Sequence, residues 1–221
     1  MKKTIGLIGF YLMSTMVNAS PITIASYDID NANLSGTGGW THTYLGTITP
    51  INTSIANYSG GSGTLNDGVI SSSIQSTQLF NYPTDSSPAI TLNFDAFYSI
   101  NNLLISGGSF LGNAIPGNIT SLDITINSIT ENFSTSSTGL TFGSRSADDF
   151  IDLSGSSLFN LSTNSVLLSG FISSGFNGLQ NTFSITEINL DGKTASVPEP
   201  ANLGLLVLGF VGLVFSRRKK I

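Results

Sequence analysis

His42 is the single histidine of the chain, and there is no cysteine. Thiol nucleophiles, disulfides, Cys-ligated zinc, iron–sulfur clusters and HExxH or other multi-His metal sites are therefore excluded. Trp40, His42 and Tyr44 alternate in Gly39-Trp40-Thr41-His42-Thr43-Tyr44, so on a strand all three point to one face. There the two rings either stack on a sugar ring beside a His42 hydrogen bond or anchor the core. No nucleophile partner for His42 can be identified in the sequence, which counts against catalysis by it. Asp148, Asp149 and Asp152 form the densest acidic cluster. Two carboxylates flanking a glycosidic bond could hydrolyse it, but adjacent acids on a strand face opposite ways, and an exposed acidic loop beside Arg145 explains them as well. Asn31-Ala32-Asn33-Leu34-Ser35-Gly36 spaces oxygen donors before a glycine, yet lacks the leading Asp and closing Glu of an EF-hand loop. The N-x-Ser/Thr sequons at Asn33, Asn52, Asn57, Asn118, Asn132 and Asn160 are what chance gives in a chain so rich in these residues.

The 221 residues fit one domain with appendages, and 40% hydrophobic content suffices for a core. Charge is unevenly placed. Six of the eight basic residues sit at the two ends: Lys2, Lys3, Arg217, Arg218, Lys219 and Lys220. Between Ser20 and Val197 two cations, Arg145 and Lys193, face twelve acids, a net charge of −10. Such a body repels phosphate backbones and argues against a nucleic-acid partner.

Residues 1–19 have the layout of a secretory signal peptide: Lys2 and Lys3, then the apolar run Ile5 to Met13, then Val17-Asn18-Ala19 with cleavage expected between Ala19 and Ser20. The apolar run is too short to span a membrane. At the other end, Ala201 to Phe215 is uncharged and nearly all apolar, a short transmembrane helix, and Arg217, Arg218, Lys219 and Lys220 form a stop-transfer cluster that stays cytoplasmic. Val197-Pro198-Glu199-Pro200 stands just before it, an extended spacer because its prolines block helix and strand. This order resembles the PEP-CTERM sorting signal over residues 196–221. The resemblance implies a Gram-negative envelope protein, handled by the secretion machinery, held transiently in the inner membrane, and cut near the motif by an exosortase, a membrane cysteine transpeptidase. It makes Pro198, Glu199 and Pro200 the recognition residues and links the protein with exopolysaccharide and biofilm matrix.

Between these ends, residues 20–195 read as one all-β domain. Alternating runs recur at Ile90–Phe94, Ile100–Ile105, Ser121–Ile126, Val166–Phe171 and Phe183–Leu190, bounded by Gly, Asn, Pro or Ser, and nothing keeps a 3.6-residue period. Short strands between turn signals predict a β-sandwich or barrel. Gly36–Gly39 and Ser59–Gly63 read as loops, and Asp191–Ser196 as a turn leading into a linker. The order Leu65-Asn66-Asp67-Gly68, then Pro88–Phe94 with Tyr98–Ile105, then Ile119–Ile126, then Phe183-Ser184-Ile185-Thr186-Glu187-Ile188 resembles the discoidin-like, galactose-binding-type jelly roll over residues 27–192. That resemblance implies a single jelly-roll β-sandwich. It also implies a structural calcium held by oxygens, with Asp67 and Glu187 at matching places and Asn66 and loop carbonyls able to add ligands. The bland alternatives are a turn Asp capping its own backbone and a surface Glu. The expectation is a non-enzymatic, exported carbohydrate-binding module at the cell surface or in the extracellular matrix, with Trp40, His42 and Tyr44 as candidate ligand contacts. The alternative is a structural or adhesive surface protein without a defined ligand.

Overall fold

The structure is a computed structural model and describes residues 19–71, 73, 75–107, 116–135, 147–174 and 181–195. The signal segment, the Val197–Pro200 motif, the apolar run from Ala201 and the basic cluster at Arg217, Arg218, Lys219 and Lys220 lie outside the described residues.

The described chain is an all-β sandwich. Its strands are β1 (Ser20–Pro21), β2 (Ile24–Asn33), β3 (Thr47–Pro50), β4 (Ile55–Gly61), β5 (Gln78–Phe80), β6 (Ala89–Gly107), β7 (Ile119–Ile126), β8 (Ile129–Ser134), β9 (Ala147–Asp152), β10 (Ser162–Ser173) and β11 (Phe183–Thr194). β6 organises the rest. Its first half, through Phe94, lies between β2 and β10 in a layer ordered β3-β4-β2-β6-β10-β7-β8. Its second half, from Tyr98 to Gly107, pairs with β11 in the other layer, with β10 still opposite at Tyr98 and Ser99 and β9 from Asn102 on, while β1 and β5 complete the far side of β11. The strand crosses from layer to layer at Asp95-Ala96-Phe97, three consecutive exposed residues. On either side the period of two resumes, with Ile90, Leu92 and Phe94, then Tyr98 and Ile100, then Leu103 and Ile105 buried in one core shared with Ile185, Ile188 and Leu190 of β11.

Two segments that read as turns are strand. Ser59–Gly61 pairs in β4, and its Gly61 serves close approach: a Cβ there would stand 2.5 Å from the Gly46 nitrogen. Asp191–Thr194 continues β11 to its end, with Gly192 at a register shift where a Cβ would meet the Ser99 carbonyl at 2.3 Å. The two runs Ile90–Phe94 and Ile100–Ile105 are likewise one strand. The tight β7–β8 turn has Asn127 (φ 49°) and Ser128 (φ 69°), both left-handed as a type I′ hairpin requires. At the outer edge of the first layer, Pro50 pairs with Ala56 at a position whose nitrogen faces away from β4. A missing N–H there blunts the open edge against further strand pairing.

Asn33 ends β2 and ties three loops together. Its amide nitrogen donates to the Ser54 and Tyr82 carbonyls, its side-chain oxygen accepts from the Tyr82 nitrogen at 3.1 Å, and its carbonyl accepts from the Tyr58 hydroxyl at 2.9 Å. Asn31 and Asn33 thus belong to a strand rather than to an oxygen-lined loop, and the Asn33 side chain is fully buried.

Candidate functional site

β11 pairs with β5 only over Phe183–Ile185, and with β1 only near Asp191. Between those points its outer flank is open, and the segment after β4 straps across it with residues 62–71. The Ile188 nitrogen donates to the Leu65 carbonyl at 2.9 Å, and the Asn66 amide donates to the Ile24 carbonyl at 2.9 Å. Asp67 closes an Asx turn on the Val69 nitrogen at 2.8 Å. Gly68, at φ 76°, donates its N–H to Glu187 Oε2 at 3.0 Å. The Ser71 nitrogen donates to the Thr186 hydroxyl oxygen at 2.8 Å.

The strap brings Asp67 and Glu187 together from positions 120 residues apart. Glu187 is 4% exposed. Burial pushes its carboxyl up to about 7, against the lowering pull of the Gly68 amide, and the negative charge of Asp67 adds to the rise. A buried carboxylate beside a second one, with Lys193 six residues further along the same strand, has no nearby compensating cation among the described residues. Asp67, Glu187 and adjacent carbonyls are hard oxygen donors of the kind calcium takes. A cavity of about 200 Å³ lined by Asn66, Gly68 and Glu187 adjoins them. Among the described residues no three His, Asp or Glu side chains form a metal-holding group, so a calcium there would draw on carbonyls as well.

On the other face of the strap is a cleft of about 380 Å³ lined by Thr41, His42, Thr43, Thr64, Asp67, Val69, Ser71, Ser76 and Thr186. Trp40, His42 and Tyr44 do alternate inward, but not on a regular strand: only Tyr44 makes a bridge, to Gly63. Tyr44 is wedged between Tyr27 and Tyr58, each with ring centroids 5.1 Å away, and its hydroxyl donates to the Tyr27 carbonyl and accepts from the Gly61 nitrogen. Trp40 is 8% exposed, and its indole N–H has no partner. These two rings are not laid out as an exposed stacking pair. His42 alone of the three lines the cleft. Its ring meets the edge of Tyr58 at 5.4 Å, its Nε2 is buried without a hydrogen-bond partner, and burial pulls its pKa down to about 4, so it is neutral at neutral pH.

Asp149 and Asp152 lie on β9, across β6 from β11 and away from the cleft. Asp149 is buried, while Asp152 is exposed and accepts the Ser154 N–H at 2.8 Å, which lowers its pKa. The threonines and serines of the cleft did not stand out in the sequence. The signal that points to them is position: Thr41 and Thr43 flank His42, Ser71 follows the Asp67-Gly68 turn, and Thr186 precedes Glu187.

Comparison with known proteins adds two findings. The PEP-CTERM protein-sorting motif matches residues 196–219. No curated protein matches the chain. Among solved structures, the chain is similar to the family 32 carbohydrate-binding module of Clostridium perfringens NanJ in complex with galactose (11% identity, 72% of this chain and 98% of that one, TM-score 0.39). It is also similar to the C-terminal domain of a Bacteroides fragilis chitobiase (11% identity, 80% and 100%, TM-score 0.43). A third is CpGH89CBM32-5 of C. perfringens in complex with GalNAc-β-1,3-galactose (15% identity, 77% and 99%, TM-score 0.40).

Proposed function

We propose that this chain, which carries a PEP-CTERM sorting motif, is an exported envelope protein whose β-sandwich binds carbohydrate without turning it over, at the cleft beside β11. The observation that carries the reading is the cleft itself: about 380 Å³, lined largely by threonine and serine residues, with a neutral imidazole in its wall. A saccharide offers the matching chemistry, a ring of hydroxyls that each donate and accept. The neutral His42 ring stands in the wall of the cleft, where a sugar can pack against it.

Asp67 and Glu187 are the residues to hold a calcium, with Asn66 and loop carbonyls beside them. The ion would supply positive charge where the exposed Asp67 carboxylate of the strap stands beside the buried carboxyl of Glu187 on β11. Because the same strap forms the cleft floor, a fixed strap means a fixed cleft. After export, cutting near Val197–Pro200 by an exosortase releases the body or passes it to the surface, where exopolysaccharide of the biofilm matrix is the ligand at hand.

The test is glycan binding by the mature protein with calcium and with chelator. Neutral glycans should bind with saturable affinity, and His42→Ala should weaken binding tenfold or more. Absence of binding in both conditions by protein with a native β-rich spectrum would sink the reading in favour of a structural matrix protein. Calcium binding is read separately by titration calorimetry, in which Glu187→Gln should remove the heat.

A further inference from the structure

We propose that the end of the sandwich from which both ends of the body depart is a lipid-facing surface, seating the membrane-anchored precursor on the bilayer through Phe97 and Lys193. The inference rests on the sorting reading, which supplies the anchor.

β1 begins the described body at Ser20, paired with Gly192. β11 ends it, and the Ala195 nitrogen makes a hydrogen bond to the Phe97 carbonyl at 2.9 Å. Both ends therefore leave beside the Asp95–Phe97 crossing. Residues 196–200 are all that separate Ala195 from the apolar run beginning at Ala201. Fully extended they reach about 18 Å. β11 alone is 12 residues, roughly 40 Å. In the anchored precursor this end of the body is therefore confined near the membrane surface, while the loop between β5 and β6, at the other end, can stay clear of it.

The confined end carries what a bilayer surface selects. Phe97 is 51% exposed, a large aromatic ring in water at a strand crossing that needs no side chain there. Lys193 is exposed and is the one cation among the described residues. It pairs with Ser99, and residues two apart on a strand share a face, so Phe97, Ser99, Lys193 and Ala195 lie on one side of the β6–β11 ladder. Two acids neighbour the patch: Asp95, which accepts the Tyr98 hydroxyl at 2.7 Å, and the exposed Asp191, two residues before Lys193. Removal of the signal after Ala19 would add the Ser20 amine beside Gly192. Aromatic rings settle at the level of lipid headgroups, and lysines near anionic lipid are attracted to it. On a body of net charge −10, no other described surface offers that pair.

The chain has no cysteine, so one can be introduced as a unique label site. The full-length precursor carrying Ala96→Cys or Thr84→Cys is labelled with an environment-sensitive dye and reconstituted into phosphatidylethanolamine–phosphatidylglycerol vesicles containing headgroup spin-labelled lipid. Quenching at position 96 should exceed that at 84 at least threefold. Adding Phe97→Ser and Lys193→Glu, both at exposed positions, should bring it down to the level at 84. Quenching that survives the double substitution means the tether alone holds the body close, and overturns the proposal. Quenching that appears only when an exosortase is co-reconstituted assigns the surface to that enzyme instead, and also overturns it. Failure of the precursor to stay with the vesicles at all removes the sorting reading, and this inference with it.

Discussion

The two sides of β11 are built on different principles. Toward β6 it forms a long ladder from Ile185 to Thr194. Its inward residues, Phe183, Ile185, Ile188 and Leu190, are buried among apolar neighbours. Toward the strap it makes scattered bonds: Ile188 to the Leu65 carbonyl, Glu187 to Gly68, Thr186 to Ser71. The ladder tolerates many sequences, because main-chain groups make it and any apolar residue of the right size fills the face. The strap side depends on particular atoms, and each buried polar group there is costly if its partner is lost. One side supplies stability; the other holds the candidate ligand and metal groups and is where pH acts.

The sharpest break of this contrast is a cavity on the apolar side. Phe183 stacks on Phe80 at 4.7 Å and on Phe171 at 4.8 Å. Phe183→Ala should destabilise by about 3–5 kcal/mol, read as a lower urea midpoint at every pH. A loss below 1 kcal/mol would show that the ladder, not the packing, carries this side. Next comes pH. Glu187 has its folded pKa raised to about 7, so without calcium its contribution is favourable at low pH and is lost as pH rises through 7. His42 has its folded pKa lowered to about 4, so its contribution is present above the ordinary histidine value and is lost as pH falls toward 4. Glu187→Gln should stabilise the calcium-free protein by about 2 kcal/mol at pH 8 and by little at pH 4, with Gln still accepting the Gly68 N–H. His42→Gln should remove roughly 1 kcal/mol of acid destabilisation between pH 6.5 and 4. Thermal melts of both variants across pH 4–8 should therefore differ from the parent at opposite ends of the range, and a common profile for all three would refute the assignment. The smallest effect expected is Thr186→Val, which leaves the Ser71 nitrogen without its acceptor. About 1 kcal/mol of stability should go, with faster proteolysis within 62–71 and an unchanged core.

Much of the ladder side was legible in the sequence, since Phe183-Ser184-Ile185-Thr186-Glu187-Ile188 follows a near-regular alternation. The unity of β6 was not, because Asp95-Ala96-Phe97 interrupts the period where the strand changes layers, and a period of two registers only one face at a time. Gly61 and Gly192 misled for a related reason: glycine chosen for close backbone approach looks the same as glycine chosen for a turn. On the strap side, Asp67 and Glu187 could be singled out as sparse acids in a weakly charged chain. Thr41, Thr64 and Thr186 could not, because hydroxyl residues are everywhere in this sequence and only the path of the strap distinguishes these from the rest. Trp40 and Tyr44 kept the inward alternation that their spacing gives, yet a pattern of alternation cannot say whether the shared face is core or ligand.

The position of β11 also has a mechanical side. Thr186, at the cleft, and Ala195, where the body runs toward its anchor, are joined by one strand of roughly 30 Å. A pull between a ligand in the cleft and the membrane runs along that strand. It loads the hydrogen bonds to β6 in parallel, as shear, rather than peeling them apart one after another. Tension of that kind would be shared by the whole Ile188–Thr194 ladder, so the strand that forms the cleft wall would also carry force between ligand and membrane.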